Sequence, residues 1–381
     1  MNGHRVVVTG IGAITPIGIG VEGLWGGILE ARSGVRRLER FDASSFTSQV
    51  AAEVVDFDPA MVLESKQVKR LDRFAQFAVA CARQAVADAG LDLEAVDRDR
   101  VGVFIGTALG GAAFAKEQAR IFLREGIRRV RPTLAVSVFG GAASCNIAMD
   151  LGLRGPTSAN SDSCASGAIA IGEAMRLVRG GEVDLMLAGG VEVPLTPLIF
   201  GAFDLLRAMS ARFNHDPARA SRPFDRHRDG FVMAEGAAIL VLERLEHALA
   251  RHARIYGEVL GYGAHASSTP LNDATETRAI KEVFGPHAYR APVSGTKSMH
   301  GHPLEAAGAV EAAICLLTLF QDYVPPTINL EEPDAECDPD YVPNRGRFTR
   351  VHYVLNNSFR FGGINACLVF GRFPSPGRES Q

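Results

Sequence analysis

Six short runs of the chain are apolar without regular alternation: "RVVVTGIG" (5–12), "VGVFIGT" (101–107), "DLMLAGG" (184–190), "AAILVLE" (237–243), "HYVLNNS" (352–358) and "NACLVFG" (365–371). Apolarity that does not alternate predicts strands covered on both faces, as in a sheet layered between helices. The segments between them carry helical periodicity. "DRFAQFAVACARQAVADAG" (72–90) predicts a helix closed by a glycine cap, and "PLEAAGAVEAAICLLTLF" (303–320) one that starts with Pro303 at its first position. The pattern therefore predicts an α/β protein. No Pro/Ser-rich linker separates tethered domains.

The stretch "TSANSDSCASGAIAIGEAMRLVRGG" (157–181) reads as an extended segment, a polar turn and a helix of small residues. Ser161, Asp162 and Ser163 are N-cap types, Ile171, Ala174, Met175 and Val178 recur at helical spacing, and Gly180-Gly181 ends the pattern. Cys164 is thus expected at a helix start, where the macrodipole would lower its pKa and favour the thiolate. A buried structural thiol is the alternative, since free cysteines are commonly buried. A similar order recurs in "APVSGTKSMHGHPLEAAGAVEAAI" (291–314), and "DLMLAGGVE" is echoed by "HYVLNNSFRFGG". Such an echo suggests a duplicated half.

Composition narrows the class. The chain has 381 residues, 47% of them hydrophobic, enough for a large core. Net charge is −3 with no block of one sign, which argues against a nucleic-acid partner. Six cysteines without CxxC spacing are expected as reduced thiols in a cytoplasmic protein. The start "HRVVVTGIG" lacks a signal-peptide layout, and Gly, Glu or Arg interrupt the longest apolar runs, so no membrane span is expected.

Three more segments carry groups able to join Cys164: "GAHASSTPLNDATETRAIKEVF" (263–284) with His265, "SGTKSMHGH" (294–302) with Lys297 and His302, and the Gly-rich "NNSFRFGG" (356–363). Taken singly, a loop histidine is a packing residue and a lone lysine a solvated one. His300 and His302 would share a face if extended, but no carboxylate or cysteine sits at ligand spacing, so no metal is expected.

Together these motifs resemble the elongating type II β-ketoacyl-[acyl-carrier-protein] synthases. The resemblance runs almost end to end, through "VVVTGIGAITPIG", "GLRGP", "SCASG", "RPFDRHRDGFVMAEGAA", "STPLNDATET", "GTKSMHGH", "AAGAVEA", "VPPTINLEEPD" and "NSFRFGGINA". It implies a thiolase-like fold of duplicated, layered α/β/α/β/α halves with mixed sheets. Residues 1–250 would form the half with the nucleophilic cysteine. Residues 251–381 would form the half with the His/Lys/His set and the gate loop.

The resemblance also implies decarboxylative Claisen condensation of an acyl-enzyme thioester with malonyl-acyl carrier protein, in fatty acid or polyketide synthesis. Cys164 would take the acyl group, with an oxyanion hole from its own N–H and that of Phe361. His265 and His302 would stabilise the enolate. Lys297, paired with Glu311, would lend electrostatic support. Phe361 would gate the acyl pocket beside Arg360, and Leu109 would limit chain length. Lys66, Lys69, Arg70 and Arg207 match positions that dock acyl carrier protein, although a solvated helix face explains any one of them. No cofactor is implied beyond the carrier's phosphopantetheine, and the expected assembly is a homodimer, or a heterodimer with a related subunit.

The chain departs from the family pattern in four places. Arg360 replaces a glycine before the gate phenylalanine. "HASSTP" stands for "HGTSTP", and "GHPLEAAGA", with Pro303 and Glu305, stands for "GHLLGAAGA". The strand-like "EVLGYGA" (258–264) also runs into "HASSTP" after only a short expected turn, without the loop, helix and buried strand that family members insert near 261–270. A non-condensing acyl transferase, or a partner subunit like the chain-length factors, is therefore the alternative reading.

Overall fold

The computed structural model describes residues 3–266, 272–359 and 364–374, and all six apolar runs in it are strands. In chain order the main sheet contains β1 (Val6–Thr15), β2 (Val101–Gly106), β3 (Thr157–Asn160), β4 (Leu185–Glu192), β5 (Gly236–Arg244), β6 (Gly257–Ala266), β7 (Tyr353–Phe359) and β8 (Ile364–Gly371). Their spatial order is β7-β8-β6-β1-β5-β4-β2-β3, and a two-residue strand, Gly18–Ile19, pairs beside β1. β2 runs parallel to β3 and β4, and the other neighbours are antiparallel. Val7 and Val8 of β1 pair with Glu258 and Gly257 of β6.

The non-alternating strands are explained by two cores. Met186, Ala188, Leu240 and Leu242 face one of them, while Leu185, Leu187, Ile239 and Val241 face the other. Six helices position the site: α1 (Ser65–Arg70), α2 (Arg73–Asp88), α3 (Ser166–Gly180), α4 (Pro197–Leu205), α5 (Asn272–Phe284) and α6 (Ala307–Gln321). α3 and α6 pack in the first core and α2 in the second. The stretch Leu304–Gln321 is apolar enough to cross a membrane, but 78% of it is buried in the fold, so packing accounts for its composition. All six cysteines are unpaired.

Both central helices start later than their sequences suggest. The turn Ser163–Ala165 precedes α3 and the turn Leu304–Ala306 precedes α6. Pro303 thus lies before the second turn rather than at the first position of the helix. Tight 3₁₀ turns commonly open helices in this way. The end of α3 is as expected, with Gly181 in the left-handed region at φ 75°.

Small residues bring these two turns together. A Cβ on Gly167 would lie 2.9 Å from the Glu305 carbonyl oxygen, and one on Gly308 would lie 2.9 Å from the Ala168 Cβ. Beneath the Cys164 turn, a Cβ on Gly106 would meet the Ser166 carbonyl carbon at 2.2 Å, a backbone atom that cannot rotate away. Gly106→Ala is accordingly expected to destabilise the fold by about 1–3 kcal/mol, read as a lower melting temperature. An unchanged melting curve would refute this close approach.

Residues 251–381 contribute three strands to the sheet and residues 1–250 the other six, Gly18–Ile19 among them. β7 ends the sheet with no partner beyond it among the described residues, leaving Tyr353 69% and Leu355 42% exposed. His265 follows no turn. It is the penultimate residue of β6, opposite Asn365 of β8, because the shortened chain carries that strand straight through it.

Candidate active site

Cys164 lies in the turn ahead of α3, 6% exposed, after Ser163, which is held at φ 51°. A non-glycine residue in that region costs on the order of 1–3 kcal/mol and persists only where its surroundings impose it. Here Ser166 Oγ both donates to the Ser163 carbonyl (2.7 Å) and accepts from the Asp162 N–H (2.8 Å), locking the turn. The expected fall in the thiol pKa does not occur. Burial, reinforced by Glu305, pushes Cys164 up to about 11, against the weaker help of Ser163 and Lys297. Loss of water around the sulfur outweighs the helix dipole.

A cavity of about 1170 Å³ opens in front of this thiol. Cys164, Lys297, His302, Glu311 and Glu276 all line it, with Phe224, Ile280, Val293 and Leu355 among its apolar walls. Lys297 begins the helical turn Lys297–His300, and its ammonium donates to Glu311. Burial opposes its charge, but Glu311 and Glu276 more than offset this and hold its pKa above the ordinary lysine value.

His302 is fixed through its backbone. Its N–H donates to Val232 (2.8 Å), its carbonyl accepts from Ala234 (3.0 Å), and its ring meets Phe231 edge to face at 5.3 Å. Burial, Lys297 and His300 press its pKa well below the usual imidazole range, so the ring is neutral and carries one N–H to donate. His300 does not line the cavity. It is fully buried with Nε2 3.2 Å from Thr296 Oγ1, since the helical turn breaks the extended geometry that would align the two histidines.

The other sequence candidates are scattered. Leu109 sits half-buried in the loop after β2, where its N–H donates to Glu192, and does not line the cavity. Lys66, Lys69 and Arg70 lie exposed on α1, and Arg207 lies exposed beyond α4 beside Leu205 and Leu206, which are 86% and 73% exposed. Arg360, Phe361 and the side chain of His265 lie outside the described residues.

Sequence reasoning missed Glu276. It projects from α5 into the cavity, accepts from Asn357 Nδ2 at 3.5 Å, and is pushed up to about 7 by burial against the pull of Lys297. It stood within the quoted "STPLNDATET", but a glutamate in a polar helix ordinarily reads as surface. Among the described residues no cluster of His, Cys, Asp and Glu could hold a metal. The arrangement offers a buried nucleophilic sulfur, a neutral imidazole donor and a lysine held cationic, on one cavity.

Two protein families match the chain: "Beta-ketoacyl synthase, N-terminal domain" over residues 3–248 and "Beta-ketoacyl synthase, C-terminal domain" over residues 225–331. The 3-oxoacyl-[acyl-carrier-protein] synthase 2 of Synechocystis sp. is 44% identical, covering 97% of this chain and 98% of that protein. The Coxiella burnetii protein of the same name is 42% identical, covering 98% and 99%. These alignments span 409 and 412 positions, more than the 381 residues here, so both relatives carry residues that this chain lacks. Among solved structures, an ishigamide ketosynthase/chain length factor superposes with TM-score 0.90 at 34% identity, covering 98% of this chain and 100% of that one. A type II polyketide ketosynthase bound to a hexaketide, in complex with its acyl carrier protein, superposes with TM-score 0.89 at 34% identity, covering 97% and 100%.

Proposed function

This chain belongs to the beta-ketoacyl synthase family, with the thiolase fold of its structural neighbours, and from that membership we propose how its residues divide the work. The chain is an acyltransferase. It condenses an acyl group with malonyl-acyl carrier protein to give β-ketoacyl-acyl carrier protein, in fatty acid or polyketide synthesis. The observation that carries the assignment of roles is that Cys164, His302 and Lys297 line one cavity.

The Cys164 sulfur attacks the carbonyl of an acyl thioester, whose oxygen becomes an oxyanion received by backbone N–H groups of Cys164 and Phe361. Each such donor is worth about 3 kcal/mol. The pantetheine thiolate leaves and takes up the proton given by the thiol. In the second stage the C–C bond to the malonyl carboxylate breaks, carbon dioxide departs, and the electron pair forms an enolate. Its oxygen accepts from the neutral His302, with His265 as the second donor. The enolate carbon attacks the Cys164 thioester, and the sulfur leaves to be reprotonated. Lys297, held cationic by Glu311, stabilises the anionic species without touching the sulfur. Arg360 and Phe361 control entry to the acyl pocket.

Substrates arrive on the phosphopantetheine arm of the carrier protein, and no further cofactor is needed. The carrier docks on Lys66, Lys69, Arg70 and Arg207, the enzyme works as a dimer with its own copy or a related subunit, and its compartment is the cytoplasm. Reversing charge at Lys66 and Lys69 together is expected to raise KM for carrier-bound substrate about tenfold, with kcat unchanged. Turnover of a small pantetheine thioester should not change. An equal loss with both substrates would remove the docking role.

A further inference from the structure

Outward from β1 the sheet continues β5-β4-β2-β3, whereas outward from β6 it continues β8-β7 and stops. The echo in the sequence matches these two arms. "DLMLAGG" of β4 falls against "HYVLNNS" of β7, which sets Leu185 against Tyr353 and Leu187 against Leu355. "GPTSAN" (155–160), which contains β3, falls against "APVSGT" (291–296). β2 lies between β4 and β3 and runs parallel to both, and no strand among the described residues takes the corresponding place beside β7.

The cavity in front of Cys164 occupies that place. Residues 349–357 line one flank of it and residues 290–296 another. Successive side chains of a strand point to opposite faces, so a wall that takes in every residue from Tyr353 to Asn357 is the edge of β7 rather than one of its faces. That edge presents backbone N–H and C=O groups with no neighbouring strand among the described residues. Burial tells the same story. Leu185 and Leu187 are 1% and 0% exposed in β4, which β2 flanks, while Tyr353 and Leu355 are 69% and 42% exposed. Thr157–Asn160 is a strand because β2 pairs with it, and its counterpart at 293–296 forms none. On that flank Ser294 Oγ is buried without a hydrogen-bond partner.

We propose that this slot docks an extended apolar segment of a separate polypeptide, which adds as a strand parallel to β7 along its open edge. The register of β2 against β4, from Val101 opposite Leu185 to Gly106 opposite Gly190, sets its length at six residues, facing Tyr353 to Ser358. Tyr353, Leu355, Val293 and Ile280 on the walls call for apolar side chains. The open backbone groups call for a peptide, since a hydrocarbon chain would leave them unsatisfied. Outside the described residues the chain has no segment of this kind. Residues 1–2, 267–271 and 360–363 are shorter than six, and 375–381 holds Pro376, Arg378 and Glu379, which a strand bonded on both edges excludes. A second copy offers strands already bonded on one edge, whereas an occupant between two flanks needs both edges free. The proposal does not depend on the reaction assigned above.

The test is hydrogen–deuterium exchange of the whole chain with a synthetic peptide, VGVFIGT (residues 101–107) followed by two lysines for solubility. β2 fills the corresponding place beside β4, so its sequence is the probe. Exchange across Tyr353–Phe359 is expected to slow about tenfold or more at millimolar peptide. The same peptide N-methylated at alternate residues keeps its side chains but loses donors, and is expected to protect nothing. Unchanged exchange with the unmodified peptide would overturn the proposal. Equal protection by the N-methylated peptide would also overturn it, by showing an apolar groove instead of an added strand. Protection that rises with protein concentration in the absence of peptide would give the slot to a second copy and overturn the separate partner. The readout needs no acyl substrate, so its failure leaves the proposed function standing.

Discussion

Cys164→Ala is expected to abolish the acyl adduct that intact-mass measurement detects after mixing the protein with acyl-carrier-protein thioesters. The expected effect is complete because the step forms a covalent bond to this sulfur. Cys315 also lines the cavity, but burial pushes it, like Cys81, far above the ordinary thiol range, and Cys145, Cys337 and Cys367 do not line it. An adduct that persists in the variant, on Cys145 for example, would show that another thiol is the acceptor. An adduct on the wild type without condensation would favour the non-condensing acyl transferase. No adduct on the wild type would favour the chain-length-factor-like subunit.

Decarboxylation is expected to fall behind acylation by on the order of a hundredfold or more. In the proposed division of roles, acylation relies on Cys164, its locked turn and the adjoining N–H groups, whereas decarboxylation needs two imidazoles aimed at one oxygen. His302 is anchored by paired backbone bonds to Val232 and Ala234. His265 instead rides at the end of β6, which the shortened chain has made the strand that carries it. A misplacement of about 1 Å costs roughly a hundredfold in rate. The measurement is labelled carbon dioxide release from malonyl-carrier protein, compared with the rate of Cys164 acylation. Release that keeps pace with acylation and vanishes in His265→Ala would show that His265 works from its strand.

The strands were legible because a strand covered on both faces must be apolar at every position, whatever its neighbours are. β4 and β5 show this, sending alternate residues into two different cores. Helix ends were less legible. Turn and helix differ by one hydrogen-bond step, and only the packing of Gly167 against the Glu305 carbonyl places the tight turns ahead of α3 and α6. The Lys297–Glu311 pair came from the family resemblance, since residues fourteen apart on separate elements show no pairing in sequence.

The sequence by itself determined the α/β class, the strand positions, the family and Cys164 as the candidate nucleophile. Periodicity and motif order are properties of the chain alone. The state of that nucleophile was decided by the tertiary structure. A helix start implies a lowered thiol pKa, but the fold buries Cys164 and brings Glu305 beside it, and desolvation outweighs the dipole. The placing of Glu276 in the cavity was likewise settled in three dimensions. Burial and approach depend on residues more than a hundred positions away, and no local pattern records them.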